Sequence, residues 1–377
     1  MDFTLTEHEK MLQNLAKDFA AKEILPGAAE IDSTGEFPFD MAKKIAGQGF
    51  QGLPYSAEYG GSGAGFISYV LVLEQLCRAS VAVGAIMAVN TVPEEGIFRF
   101  GTEEQKKRLL APLTRGEWLG GIGFTEADTG SDPRLITTTA RRSGDGWVIN
   151  GQKQFMAMAP ALDVVLLFAR REGEEGSLNA YIVETKQPGF AVQEVIQTMG
   201  LRGLGSSIVN LDDVYVPREN LIGEEGQGFD ILLEAISIER MSVAIQGVAI
   251  AQASLDIALD YARERKAMGR PIARMQAIQQ HLAEMAARTE AARWLAYRTA
   301  FVREQGGSIQ YEASMAKLFC TQVAAEVARM AMQIHGSFGV VKALPLERFY
   351  RDAKMTEIYV GSNEVHRTVV ANRLIRP

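Results

Sequence analysis

The chain has 377 residues, 47% hydrophobic and 23% charged, which is enough apolar content for two or three packed domains and argues against wholesale disorder. A net charge of -7, with no long block of lysine or arginine, argues against nucleic acid as the main partner. The two cysteines, Cys77 and Cys320, make neither a disulfide framework nor a CxxC metal pair, and they suit a reducing cytoplasm.

The N-terminus, Met1-Asp2-Phe3-Thr4-Leu5, lacks a basic region followed by an apolar one, so no signal peptide is expected. From Thr4 to about Leu113 the hydrophobic period is helical. Leu12, Leu15 and Phe19 fall on one face, and Thr102-Glu103-Glu104 opens another helix with a capping residue and an acidic first turn. Gly60-Gly61-Ser62-Gly63 punctuates this region as a loop. The longest wholly apolar run, Val81 to Val89, falls short of the ~20 residues a membrane helix needs, so no membrane span is expected.

Between about Leu119 and Pro217 the texture changes to short β-branched and aromatic runs. These are Trp147-Val148-Ile149, Val164 to Ala169, Tyr181-Ile182-Val183 and Ile208 to Leu211, separated by turn residues such as Ser143-Gly144-Asp145-Gly146 and Gln187-Pro188-Gly189. From about Phe229 to Arg376 the helical period returns, with long segments at Ile231–Arg265, Arg274–Gln305 and Ser308–His335. Met275, Ile278, Leu282 and Met285 keep one stripe, while Gly269-Arg270-Pro271 and Gly306-Gly307 break the helices. Helices of ~30 residues imply a bundle and contacts with other subunits. The expected fold class is α+β, with an N-terminal helical domain over 1–117, a middle β domain over 118–224 and a C-terminal helical bundle over 225–377.

The histidines His8, His281, His335 and His366 have no zinc-ligand spacing. His335 ends a helix, where a cation complements the dipole. No GxSxG elbow is present, and neither cysteine has a plausible nearby base. Gly200-Leu201-Arg202-Gly203-Leu204-Gly205 leads into the strand-like Ser206-Ser207-Ile208-Val209, which is not the strand-turn-helix context of a dinucleotide fingerprint. It reads either as a tight turn or as a point where Arg202 and Ser206 meet a phosphate or substrate. The run Gly123-Phe124-Thr125-Glu126-Ala127-Asp128-Thr129-Gly130-Ser131-Asp132 offers hydroxyl donors to a polar ring edge and a phosphate, or forms a surface turn.

A set of motifs in chain order carries a resemblance. They are Glu58-Tyr59-Gly60-Gly61, the Phe124–Asp132 run, Asn150-Gly151-Gln152-Lys153, Asp213-Val214-Tyr215-Val216-Pro217 and Asn220-Leu221-Ile222-Gly223. The second half adds Glu264-Arg265-Lys266-Ala267-Met268-Gly269-Arg270-Pro271, Gln276, Gln333-Ile334-His335-Gly336, Arg351-Asp352-Ala353-Lys354 and Gly361-Ser362-Asn363-Glu364. Together they resemble the acyl-CoA dehydrogenase family over essentially the whole chain. The resemblance implies a helical domain, a β domain and a four-helix bundle in a homotetramer that binds FAD. It implies flavin contacts at Phe124, Thr125, Ser131, Phe155 and Ala157. A neighbouring subunit would contribute Arg265, Met268, Gln276, Gln333 and Gly336, and Ser362 and Glu364 would close over the dinucleotide. A buried pyrophosphate needs a fixed cation, for which the Arg265 guanidinium fork is suited.

Desaturating an acyl thioester requires a carboxylate against Cα and donors on the thioester oxygen. Much of the family carries that glutamate just before a Gly-Thr pair near the C-terminus, where this chain has Val360 before Gly361-Ser362. A branch similar to isovaleryl- and long-chain acyl-CoA dehydrogenases carries it on the first long bundle helix, before an arginine. Glu239, followed by Arg240, matches that pattern and is the expected base. Val360 would still supply its backbone N–H to the thioester oxygen, with Arg240, Tyr359 and Gly361 around the substrate. Phe155 and Ala157 depart from the family's usual tryptophan and hydroxyl residue at the flavin. The resemblance thus implies an FAD-dependent acyl-CoA dehydrogenase of the cytoplasm, with electron-transferring flavoprotein as acceptor. A carrier-protein thioester enzyme, an enoyl-thioester reductase or oxidase, and a non-catalytic flavin- or CoA-binding subunit stand as alternatives.

Overall fold

The computed structural model describes residues 4–173 and 177–375. Its first part is helical: α1 (Glu7–Phe19), α2 (Ala28–Thr34), α3 (Phe39–Gly47), α4 (Gly65–Ala79) and α5 (Val81–Phe100). α1 begins on a capping box, the Thr6 and Glu9 side chains each accepting from the other's backbone N–H, and its acidic first turn complements the helix dipole. Its buried face against α4 is formed by Ala16 and Phe19, with Leu12 half-covered. Leu15, expected in that stripe, is 44% exposed, because the small Ala16 makes the close contact and leaves Leu15 at the margin. A second capping box, Thr102 with Gln105, opens the expected helix as α6 (Glu103–Gln105). It continues through a π turn over Lys106–Leu110 into α7 (Ala111–Thr114).

One eight-stranded sheet follows: β1 (Gly120–Gly123), β2 (Thr139–Ser143), β3 (Gly146–Met156), β4 (Val164–Arg171), β5 (Leu178–Glu184), β6 (Phe190–Val195), β7 (Ser207–Pro217) and β8 (Leu221–Ile222). The four runs expected as strands lie in β3, β4, β5 and β7. β1 is three-quarters glycine, β2 is largely polar, and β6 is mostly exposed, so none of them carries the β-branched texture of a buried strand. The main path runs β6-β7-β3-β2-β4-β5-β8, and β1 pairs with β4. β1 and β2 run parallel to β4, β1 along Val164–Leu167 and β2 along Arg170–Arg171, and the other pairings are antiparallel.

The bundle comprises α8 (Gly228–Glu264), a small hairpin of β9 (Lys266–Ala267) and β10 (Arg270–Pro271), α9 (Gln276–Glu304), α10 (Gln310–His335), α11 (Leu346–Thr356) and α12 (Asn363–Ile375). α8 is apolar on nearly all sides because it is central, packing on α4, α5, α9 and α10. Gly247 permits the close crossing with α10, since a Cβ there would lie 2.7 Å from the Cys320 carbonyl oxygen. Although no unbroken apolar run is long, α5 and α8 are on average long and apolar enough to cross a membrane. Their apolar windows, however, are 94% and 72% buried inside this chain. A second core cluster joins α5, the sheet and the start of α8 through Val92, Ile97, Leu166, Ile182, Ile231 and Ile236. Phe124 and Val360, far apart in sequence, both pack against it.

Candidate active site

β1 delivers Phe124 and Thr125 to the edge of the sheet. The strand is fastened to α5 by the Gly120 N–H donating to Asn90 Oδ1 at 2.7 Å. Behind this edge lies a buried ion pair, Lys153 Nζ to Glu126 Oε1 at 2.8 Å. Glu126 also accepts from the backbone N–H and hydroxyl of both Thr137 and Thr138. Burial alone would raise the Glu126 carboxyl, but Lys153 and these donors outweigh it and bring it down to about 2. The Gln154 N–H donates to the Thr125 carbonyl at 2.8 Å, so β3 and the Phe124–Glu126 segment are stitched together.

Just beyond Lys153 the register of β3 against β7 shifts between Lys153 and Met156. Phe155 lies in this bulge with φ +54, and its ring is 59% exposed. A bulge re-aims a side chain that regular pleating would direct differently. Ala157 follows, half-buried on the main core, and Ser131 is exposed in the loop after β1.

The second half of the site is built on α8. Glu239 is 5% exposed, and its carboxyl makes no hydrogen bond to any described residue. Burial pushes its carboxyl up to about 8, against the opposing pull of Arg240 and Lys317. Arg240 is also buried. Its Nε has no partner among the described residues, and burial lowers its guanidinium to about 10 despite Glu239. Gln246 lies two turns along the same face of α8 from Glu239 and accepts a short hydrogen bond from the Tyr359 hydroxyl. Burial, and next the charge of Glu239, raise that phenol well above its usual range, so Tyr359 and Glu239 share one environment.

The segment after Tyr359 bends sharply. Val360 has φ +57 and Gly361 φ +93. Glycine adopts such a conformation readily, but for a β-branched residue it is strained by about 1–3 kcal/mol. The Val360 N–H has no acceptor among the described residues. From α10, Lys317 Nζ donates to the Gly361 carbonyl at 2.8 Å, and Thr321 one turn on donates to Asn363 Oδ1 at 3.1 Å. His366 lies under this segment, buried, its ring against the Val360 and Gly361 backbone but without a well-formed hydrogen bond among the described residues. Burial first, then Lys317 and Arg240, lower it to about 3.

The structure therefore gathers Glu239, Arg240, Tyr359, Val360 and Gly361 around one buried point, and Phe124, Thr125, Phe155 and Ala157 along one sheet edge. The two groups meet at the cluster that Phe124 and Val360 share. Ser362 and Glu364 stand at the start of α12, adjoining the first group. Arg265, Met268, Gln276, Gln333 and Gly336 do not join either group within one chain. They are exposed at the far end of the bundle, where Tyr261 stacks on His335 at 4.1 Å between ring centroids.

Of the two readings of Gly200–Gly205, the structure fits the turn: Arg202 donates to the backbone carbonyls of Asp32 and Ser33 at the end of α2. One expectation is corrected. His335 does not serve as a cation at its helix end. It is buried, Nδ1 lies 2.8 Å from the Ala331 carbonyl, and burial lowers its imidazole. Lys317, Gln246 and His366 had not been singled out, nor had the Lys153–Glu126 pair. The lysine left a signal, because Lys317 interrupts the buried stripe Ala313, Ala316, Cys320, Ala324 and Val327 of α10.

Comparison with known proteins gives matches along the chain. The family described as acyl-CoA dehydrogenase, N-terminal domain, matches residues 6–117, the middle domain 121–214 and the C-terminal domain 226–375. An acyl-CoA dehydrogenase of Bacillus subtilis is 40% identical over 374 residues, covering 98% of this chain and 99% of the relative. A 3-(aryl)acrylate reductase of Clostridium sporogenes is 38% identical, with the same coverage. The solved butyryl-CoA dehydrogenase of Megasphaera elsdenii superposes with a TM-score of 0.98 at 34% identity, covering 100% of both chains. A glutaryl-CoA dehydrogenase of Mycobacterium smegmatis, solved in complex with FADH2, has a TM-score of 0.92 at 25% identity, covering 98% of this chain and 95% of that one.

Proposed function

Because this chain belongs to the acyl-CoA dehydrogenase family, a family of oxidoreductases, we propose that it dehydrogenates an acyl-CoA thioester to the 2,3-enoyl-CoA with bound FAD. The observation that carries this reading is Glu239, a buried carboxyl that, like the Val360 N–H of the same cluster, has no hydrogen-bond partner among the described residues.

The residues fit a flavin. Phe155 turns an aromatic face out of the sheet, and Thr125 and Ser131 bring hydroxyls to the same edge. Phe124, Thr125, Ser131, Phe155 and Ala157 would hold the ring and its phosphates, with Ser362 and Glu364 beside the dinucleotide. Arg265, Met268, Gln276, Gln333 and Gly336 would reach it from a neighbouring subunit of a homotetramer, in keeping with their exposure at the bundle end. When bound, FAD supplies a hydride acceptor for the substrate Cβ.

The chain's own groups handle the proton. Glu239 removes it from Cα, and burial makes this carboxylate a stronger base than a solvated glutamate. The Val360 N–H donates to the thioester carbonyl oxygen, where negative charge develops as the Cα–H bond breaks. Arg240 stands next to the base as a fixed cation, while Tyr359 and Gly361 wall the reacting carbons. Electron-transferring flavoprotein is the electron acceptor in this reading, and the cytoplasm its compartment. A panel of acyl-CoA thioesters offered with an artificial electron acceptor tests it. Substrate-dependent bleaching of the flavin and an enoyl-CoA product are expected, and a panel of varied chain length and branching that leaves the flavin oxidised would overturn it.

A second reading runs the same site in reverse, as an enoyl-thioester reductase. A carboxyl pushed up to about 8 is largely protonated at neutral pH and can return a proton to Cα, and a reductase is among the relatives at 38% identity. Faster turnover of an enoyl-CoA with a reduced donor than of the acyl-CoA with an oxidised one would favour it.

A further inference from the structure

Resting on Glu239 as base and Val360 as N–H donor, we propose that Lys317 is a positioning residue for the reaction: its buried ammonium clamps the Gly361 carbonyl, holds the left-handed Val360–Gly361 bend beside Glu239, and sets the charge that the base feels. Lys317 comes from α10, outside every motif that carried the family resemblance. It is fully buried, and the one hydrogen bond of its ammonium to a described residue is the 2.8 Å contact to the Gly361 oxygen.

The mechanical part of the argument concerns strain. A valine does not rest at φ +57 unless its surroundings impose it. The bend is pinned on both sides, by the Tyr359 hydroxyl on Gln246 before it and by Lys317 and Thr321 on Gly361 and Asn363 after it. Of these, only the Lys317 contact grips the backbone of Gly361 itself, through the carbonyl of the Gly361–Ser362 peptide that closes the bend. Losing it frees Val360 to relax toward negative φ, which rotates the peptide carrying its N–H.

The electrostatic part concerns Glu239. Arg240 faces it from α8, Lys317 from α10, and Tyr359 from the segment before α12. Lys317 itself faces Arg240, Glu357, Glu239 and Glu364, and His366 lies beside it as a neutral ring. Burial, and next the like charge of Arg240, bring Lys317 down to about 7 while those acids hold it up, so part of the cation is present at neutral pH. Each lysine that is charged makes Glu239 easier to ionise. Removing the ammonium therefore raises the carboxyl further and moves the rising limb of activity to higher pH.

The test uses the flavin-loaded enzyme and follows wash-in of solvent deuterium at the substrate Cα, a readout of proton transfer that needs no net turnover. Lys317→Met, nearly isosteric and uncharged, is expected to slow wash-in about ten-fold at pH 7, shift its pH profile to the alkaline side, and speed amide exchange in the 357–363 peptide. Lys317→Arg, which keeps donor and charge, is expected to restore much of both. Should the methionine variant not fold, Lys317→Gln carries the same comparison. Parental wash-in and an unmoved profile in the folded neutral variant would overturn the proposal and leave Glu239 as base. Parental wash-in in Glu239→Gln would instead remove the base assignment, a distinguishable failure.

Discussion

Replacing Glu239 by glutamine should separate stability from activity. The folded carboxyl sits at about 8 because it is buried, whereas an unfolded glutamate titrates near its usual 4.5. Below pH 4.5 both states are protonated and the residue costs nothing. As pH rises through the window from 4.5 to about 8, the unfolded chain releases a proton that the native chain keeps, so native stability falls. At about 1.4 kcal/mol per pH unit, the native state loses on the order of 3 kcal/mol by pH 7. Glutamine resembles the protonated acid and escapes this loss. Glu239→Gln should therefore match the parent in urea denaturation at pH 4.5 and exceed it progressively toward pH 8. Flavin reduction by substrate should meanwhile fall by several orders of magnitude, because no other unpaired carboxyl lies in the Glu239 cluster among the described residues. In the parent, the rate of reduction should climb about ten-fold per pH unit up to about pH 8 as the base ionises. Stability curves that stay parallel from pH 4.5 to 8, or a rate limb near pH 4.5, would mean that Glu239 is solvated and the reasoning fails.

Three further outcomes follow from the same geometry. Val360→Gly should raise the melting temperature by a few degrees, since glycine accepts φ +57 without the ~1 kcal/mol or more that valine bears, yet lower kcat through a looser N–H; an unchanged melting temperature would count against the strain. Lys153→Met should cost about 3–5 kcal/mol by orphaning the buried Glu126, and release the flavin on gel filtration as the Phe124–Glu126 edge loosens; a variant of parental stability that keeps its colour refutes the role given to that pair. Ala157→Thr should add one hydrogen bond, worth ~1 kcal/mol, beside the flavin. A potential measured by spectroscopic titration should then move, and an unmoved value argues against that contact.

Much of the architecture could be read in the chain because it is written in local periodicity. The long segments expected at Ile231–Arg265, Arg274–Gln305 and Ser308–His335 appear as α8, α9 and α10 with ends only a few residues away. Helices repeat their apolar residues over short distances, so neighbours along the sequence suffice to define them. The sheet was half legible for the same reason. Strands buried on both sides are apolar over most of their length, as β4 is from Val164 to Ala169, while β1, β2 and β6 take their pairing from partners many residues away.

The candidate for the base could also be named from the sequence, because the family resemblance points to a glutamate before an arginine on the first long bundle helix. What gives Glu239 its chemistry does not lie there. Its raised pKa is a property of the surroundings that α8, α10 and the 359–361 bend create together, and a carboxylate's affinity for a proton depends on how much water and charge it feels. The same holds for Lys317: its place in the apolar stripe of α10 marks it as unusual, but only folding lays the Gly361 carbonyl across it. The outward turn of Phe155 likewise comes from a register shift between β3 and β7, which no stretch of β3 alone could specify. Sequence chose the elements and the reacting groups, whereas tertiary packing set their protonation and aim, because desolvation and strain exist only once distant segments close around them.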